Sequence, residues 1–186
     1  MRIVAGKYRS RRIETRSSSK TRPTLDKVRE AVFSSLGGSF QGGSFLDLYA
    51  GSGANGFEAL SRGMERAVFV DSSAEASAVI RQNAASLGCI ENCDIYCMKD
   101  TKALDLLKAE GRRFKVIYLD PPYAQQHNIQ ILNYIDENEM MNDHGVLVIE
   151  SDAKDHFTQN YRHLKYLFDK EYGMTRMTYY RYEEKL

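Results

Sequence analysis

From residue 44 onward, short apolar runs alternate with stretches of helical spacing, the pattern that a parallel sheet with crossover helices requires. The runs predict strands over 45–49, 67–71, 94–98, 116–120 and 146–150, then near 165–168 and 177–182. Helices are predicted over 54–62, 73–87, 101–110, 127–140 and 152–160. Only Glu171-Tyr172-Gly173 and their neighbours separate the last two strands, so an antiparallel hairpin is expected there. Ahead of the sheet, Arg2-Ile3-Val4-Ala5 and Arg12-Ile13-Glu14-Thr15 read as a small hairpin around Gly6. A helix follows, with Thr24 as N-cap, Leu25, Val28, Val32 and Leu36 on one face, and Gly37-Gly38 as its stop. The expected fold is α/β, a doubly wound sheet with one reversed edge strand. One domain is expected, with an arm, hairpin and helix over 1–43 and an α/β core over 44–186. Ligands of such sheets bind outside the carboxyl ends of the strands, so residues 47–53, 71, 100 and 120–123 are expected to converge on one crevice.

Composition narrows the class. The chain has 186 residues, 42% hydrophobic and 27% charged, which fits one globular domain and excludes rods and disordered tracts. No stretch reaches the length of a membrane span, and Met1-Arg2-Ile3-Val4 leads into basic residues without an apolar signal segment. A soluble cytoplasmic protein is expected, with no membrane partner. Cys89, Cys93 and Cys97 are spaced four apart and read as reduced thiols, so no metal is expected.

Charge changes the picture further. The net charge is +1, yet residues 1–30 hold ten Lys or Arg against Glu14, Asp26 and Glu30, a local +7 that leaves −6 for the rest. A basic arm ahead of a mildly acidic body suits phosphate neutralisation on a nucleic acid.

Leu46-Asp47-Leu48-Tyr49-Ala50-Gly51-Ser52-Gly53-Ala54-Asn55-Gly56 is a strand end, a glycine turn and a helix start that contains G-x-G-x-x-G. Gly51, Ser52 and Gly53 would bring bare backbone and helix-start amides against a ligand. By itself the pattern fits a dinucleotide as well as S-adenosylmethionine, and Asp71 would take ribose hydroxyls in either case. Asp47 tips the balance. A carboxylate at that strand position is costly to bury without a partner, and a donor with an ammonium group supplies one where a pyrophosphate would not. Asp100, past the third strand, is placed to accept from an adenine amine.

The strand predicted over 116–120 ends in Asp120-Pro121-Pro122-Tyr123. Consecutive prolines fix φ and remove two N–H donors, leaving a stiff corner whose polar groups are mainly acceptors. Such a corner suits an exocyclic amine, a poor nucleophile until hydrogen bonds from its N–H groups to Asp120 and a backbone carbonyl favour the pyramidal transition state. Tyr123 would stack on the base. A sulfonium is already a good leaving group, so orientation should dominate, an effect that reaches roughly 7–11 kcal/mol.

Together these residues resemble the RsmD family of bacterial 16S ribosomal RNA guanine-N2 methyltransferases. The resemblance runs from Arg2-Ile3-Val4-Ala5-Gly6-Lys7-Tyr8 through Arg22-Pro23-Thr24, Val28-Arg29-Glu30-Ala31-Val32-Phe33 and the glycine loop. It continues with Glu58-Ala59-Leu60-Ser61-Arg62-Gly63, Asn83, Asp120-Pro121-Pro122-Tyr123 and Tyr172-Gly173. It implies a Rossmann-like class I S-adenosylmethionine-dependent methyltransferase sheet with an antiparallel C-terminal hairpin and a small N-terminal basic extension. It also implies methyl transfer to the N2 amine of a guanine in 16S rRNA, within the 30S subunit or its assembly intermediate. Arg9, Arg11, Arg12 and Arg22, with Lys20, would then hold rRNA phosphates, and Arg22-Pro23-Thr24 would lie near the target base. Asn83 is expected to hold a loop near the cofactor. Tyr49, Asn55, Phe57 and Asp71 depart from the residues usual in the family. Tyr179, Tyr180 and Tyr182 read as hairpin core. Four alternatives stay open: amino-methylation of another nucleic acid, of a protein glutamine, a non-catalytic ribosome-assembly factor, or, against Asp47, a dinucleotide oxidoreductase.

Overall fold

The structure, a computed structural model, describes residues 1–16, 23–122 and 127–184, with the side chains of Pro23 and Thr24 outside the description. It divides into two compact units, Met1–Asp100 and Thr101–Leu186. In the first unit β1 (Ser44–Asp47), β2 (Arg66–Asp71) and β3 (Cys93–Cys97) lie side by side in the order β3-β2-β1. All three are parallel, with Asp47 opposite Phe69 and Asp71 opposite Cys97.

Helices α1 (Pro23–Ser35), α2 (Ala54–Ser61) and α3 (Ala74–Leu87) belong to the same unit. Phe45, Leu46, Phe57, Phe69 and Ile80 are fully buried, each contributing about 1.5–3 kcal/mol relative to exposure. The α1 helix begins two residues earlier than the sequence predicts, at Pro23 instead of Leu25. Pro23 opens it, where a missing N–H costs nothing, so Thr24 lies in the first turn and is not the cap. The start of α3 is capped by Ser73, whose Oγ accepts the Ala76 N–H at 3.3 Å, and Gly88 at φ 69° closes its other end. A short 3-10 turn at Ile90–Asn92 leads into β3. The N-terminal hairpin is one bridge, Arg2 with Arg12, rather than two paired strands.

In the second unit α4 (Asp100–Ala109, its first residue belonging to the first unit) and α5 (Asn128–Glu137) accompany β4 (Phe114–Leu119), β5 (Met141–Asp152), β6 (Leu164–Tyr172) and β7 (Thr175–Tyr182). Their order is β4-β5-β7-β6. The first pair is parallel, with Leu119 opposite Ile149, and β7 runs antiparallel to both β5 and β6. The expected terminal hairpin is present, turning at Gly173 and Met174. Tyr179, Tyr180 and Tyr182 are buried in it, as core.

One predicted helix is absent. Over 152–160 the chain is not helical, because β5 keeps pairing with β7 as far as Asp152 opposite Thr175. Ala153 N–H then donates to the Met174 carbonyl at 2.8 Å, and Tyr161 N–H to that of Leu164 at 2.8 Å. The first partner lies 21 residues away and the second just beyond the predicted helix, and neither continues the i→i−4 pairing of a helix. The same strand starts five residues before its predicted beginning. Exposed Asn142-Asp143-His144 hides the start, with a register shift there and His144 at φ 62°.

Candidate active site

The first unit builds a loop at the carboxyl end of β1. Asp47 closes that strand and is 1% exposed, with the Tyr49 N–H 3.3 Å from its Oδ1. The chain then turns through Gly51 and Gly53, at φ 56° and 86°, before α2 begins. The three glycines of the loop differ in what surrounds them. A Cβ on Gly56 would sit 2.2 Å from the Phe69 ring and one on Gly53 2.6 Å from Phe57, whereas nothing lies within 4 Å of one on Gly51. Gly53 and Gly56 therefore let α2 close onto β2, where Phe57 and Phe69 meet with ring centroids 4.8 Å apart. Gly51 is the glycine that leaves open space. Phe57, one of the departures from the family pattern, is thereby a core residue.

Asp71 ends β2 and holds this loop. Its Oδ2 accepts the Gly51 N–H at 2.9 Å and its Oδ1 accepts the Ser73 N–H at 2.9 Å, so one carboxylate shapes both the glycine turn and the start of α3. Each oxygen of a carboxylate accepts about two hydrogen bonds, which leaves capacity for hydroxyls of a ligand. Asp100 opens α4 and accepts the Tyr49 hydroxyl at 2.6 Å. Burial and that bond push the Tyr49 phenol well above its ordinary range, so it stays a proton donor. The sequence marks Tyr49 only as a departure from the family pattern; its hydroxyl fixes Asp100, which a Phe would not do.

Asn83 sits on α3 and is 2% exposed. Its Nδ2 donates to the Ser52 carbonyl at 3.1 Å and to the Glu14 carbonyl at 2.9 Å, while its Oδ1 accepts the Glu14 N–H at 2.8 Å. One amide thus ties the glycine loop to the basic arm, in line with the expected loop-holding role.

A second anchor lies on α2. Buried Glu58 accepts the Val4 and Ala5 N–H groups at 2.9 and 3.1 Å and pairs with Arg62 at 2.8 Å. Arg62 also reaches Glu30 at 2.7 Å and the Gly38 carbonyl at 3.0 Å. Ser61 Oγ accepts the Tyr8 N–H at 2.9 Å, and a Cβ on Gly6 would strike the Ser61 carbonyl at 1.9 Å. The two sequence motifs Arg2–Tyr8 and Glu58–Gly63 are therefore halves of one joint. Along the arm, Arg9 and Arg12 are exposed and make no side-chain hydrogen bond or ion pair among the described residues. Arg11 is exposed too, but its guanidinium donates to the Ser86 carbonyl at 2.6 Å, so part of its donor set is spent on α3. Arg22 and Lys20 lie outside the described residues, as do the side chains of Pro23 and Thr24.

In the second unit, Asp120-Pro121-Pro122 follows β4 at its carboxyl end. Asp120 is half-buried, Pro121 buried and Pro122 exposed; Tyr123 lies outside the described residues. Tyr118, two residues before Asp120, is buried and donates its hydroxyl to Glu150 at 2.9 Å, binding β4 to β5 beneath the corner. Among the described residues no group of three or more His, Cys, Asp or Glu is placed to hold a metal.

The family model described as Conserved hypothetical protein 95 matches residues 1–181. A Bacillus subtilis protein provisionally named rRNA methyltransferase YlbH is 35% identical over 97% of this chain and 98% of its own length. The chain belongs to this family, RsmD. Another relative, the Ribosomal RNA small subunit methyltransferase D of Escherichia coli strain K12, is 29% identical over 83% of the chain and 76% of that protein. A solved Escherichia coli structure, provisionally described as methyltransferase yhhF, superposes with a TM-score of 0.83 at 26% identity. It covers 100% of this chain and 99% of that one. RsmD membership and this superposition make the fold the Rossmann-like sheet of S-adenosylmethionine-dependent methyltransferases.

Proposed function

We propose that the chain methylates the N2 amine of a guanine in small-subunit (16S) rRNA, with S-adenosylmethionine as donor. The observation that carries this reading is the loop of the first unit. It combines an open Gly51, a buried Asp47 and an Asp71 whose oxygens face the Gly51 and Ser73 amides, a set that fits a ligand with a cationic amine and a ribose. The donor supplies an electrophilic methyl group on sulfur when bound. Asp47 would meet its ammonium, the Ser52 amide its amino-acid carboxylate across the open space at Gly51, Asp71 the ribose hydroxyls, and Asp100, held by Tyr49, the adenine amine.

The Asp120 corner would receive the acceptor. Its carboxylate and a backbone carbonyl of the proline turn accept the two N–H bonds of the amine, which localises the nitrogen lone pair and aims it along the line of transfer. Tyr123 would cover the base. Arg9, Arg12 and the remaining donors of Arg11 would neutralise rRNA phosphates, with Arg22, Pro23 and Thr24 nearest the target. An rRNA acceptor places the reaction in the cytoplasm, on the 30S subunit or an assembly intermediate.

The test separates the two halves. Asp120→Ala is expected to lower transfer to small-subunit rRNA by more than about 1,000-fold while the donor dissociation constant, measured by calorimetry, stays within about threefold. Transfer within tenfold of the parent would rule out Asp120 as the amine acceptor.

A further inference from the structure

The segments that follow the parallel strands β4 and β5 line one cavity of about 680 Å³, within the range of small-ligand sites. His127 and Asn128 come from the start of α5; Lys154, Asp155, His156 and Phe157 come from the stretch after β5 where a helix was expected. This side chain of Asn128 is 2% exposed, and neither its Oδ1 nor its Nδ2 has a hydrogen-bond partner among the described residues. A buried amide left unpaired costs about 1–3 kcal/mol for each polar group, so a fold that keeps one at a cavity wall forgoes stability there. Ile129, the next residue, is 54% exposed, so α5 turns Asn128 inward and leaves its apolar neighbour outside.

We propose that Asn128 is a specificity-determining residue that reads the Watson–Crick edge of the acceptor guanine. An amide carries one acceptor and one donor side by side. Oδ1 accepts from guanine N1–H while Nδ2–H donates to O6, a bidentate match to two neighbouring atoms of one edge. N2 is the third group on that edge, adjacent to N1, and stays available to the Asp120 corner, which ends the strand beside β5. Phe157 offers a ring to the base, and Lys154 offers a cationic donor and His156 a ring N–H to the phosphates at the exposed rim. Filling the amide's two orphaned positions is what the ligand gains over a purine that lacks O6. This assignment rests on the guanine-N2 reading above.

The test compares two probes on the full chain saturated with S-adenosylhomocysteine: guanosine 5′-monophosphate, and 2-aminopurine riboside 5′-monophosphate, which keeps the N2 amine and lacks both O6 and the N1 proton. Affinities come from titrations followed by nuclear magnetic resonance. The parent is expected to prefer the guanine nucleotide by about tenfold or more, with a shift of the Asn128 side-chain amide resonance. In Asn128→Ala and Asn128→Asp that preference falls to within about twofold, while affinity for the 2-aminopurine nucleotide changes little. The ratio is internal to each variant, so a general loss of stability lowers both affinities and leaves it unchanged. A parent with no preference, or variants that keep it, would overturn the assignment. The guanine reading is checked separately by the nucleoside that the parent methylates: a product other than N2-methylguanosine removes that reading, whereas N2-methylguanosine with an unchanged preference removes Asn128 alone.

Discussion

Glu58→Gln isolates what holds the basic arm to the body of the first unit. Glu58 is wholly buried, and the three groups bonded to its carboxylate are all donors: the Val4 N–H, the Ala5 N–H and the Arg62 guanidinium. Glutamine keeps the shape but replaces one acceptor oxygen with an NH2 group, so at least one of the three faces a second donor. Hydrogen bonds to a charged group contribute about 1.5–3 kcal/mol each, and breaking a buried ion pair costs about 3–5 kcal/mol. Arg62 keeps Glu30 and the Gly38 carbonyl, which limits the loss, so about 3–4 kcal/mol is expected. With a urea dependence of roughly 2 kcal/mol per molar, the unfolding midpoint should drop by about 1.5–2 M, read by circular dichroism. Glu30→Gln provides the control. It removes a partner of the same guanidinium from an exposed position and should cost under about 1 kcal/mol. Equal, small shifts in the two variants would refute the claim that Glu58 is the buried anchor. In the Glu58 variant the arm should also become the first site of proteolysis, and the KM for rRNA should rise more than the KM for the donor.

Asp71→Ala removes the acceptor of Gly51 as well as the proposed ribose contact, so the donor dissociation constant should rise by at least about tenfold in calorimetry. Gly56→Ala drives a methyl into the Phe69 ring and should cost about 1–3 kcal/mol in chemical denaturation with little direct effect on donor affinity. Gly51→Ala meets no atom, costs about 1 kcal/mol for its positive φ, and should instead weaken donor binding. The Asp169 carboxyl is held below its usual range, first by the Tyr166 hydroxyl and then by Arg176. The stability this contributes is present above about pH 4 and is lost as pH falls through the lowered folded-state value, so Asp169→Asn should flatten the acid limb of a stability–pH profile.

The alternation of apolar runs and helical spacing located every strand of the sheet and five of the six helices expected from it and from the arm. The failure at 152–160 has a physical reason. Ala153, Phe157 and Tyr161 recur with helical spacing, but the backbone at the start of the segment is committed to partners more than twenty residues away, Asp152 to Thr175 and Ala153 to Met174, and no local window contains them. Asp47 and Asp71 close strands and Asp100 opens α4, positions that the sequence pattern alone was enough to mark as candidates. Roles that depend on distant neighbours were not. Gly53 and Gly56 carry the same letter as Gly51, yet only the packing of Phe57 against Phe69 tells them apart. Tyr49 acquires its purpose from Asp100, Glu58 from the backbone of Val4 and Ala5, and Asn128 from the absence of partners around its amide.

The most direct measurement supplies the full chain with S-adenosylmethionine bearing a labelled methyl group and small-subunit particles from cells lacking the enzyme, then digests the rRNA to nucleosides. The expected result is label in N2-methylguanosine at a single position, abolished by Asp120→Ala and retained, at lower rate, by arm variants such as Arg9→Ala. Label in any other nucleoside, or none under conditions where the donor binds, would contradict the proposed chemistry.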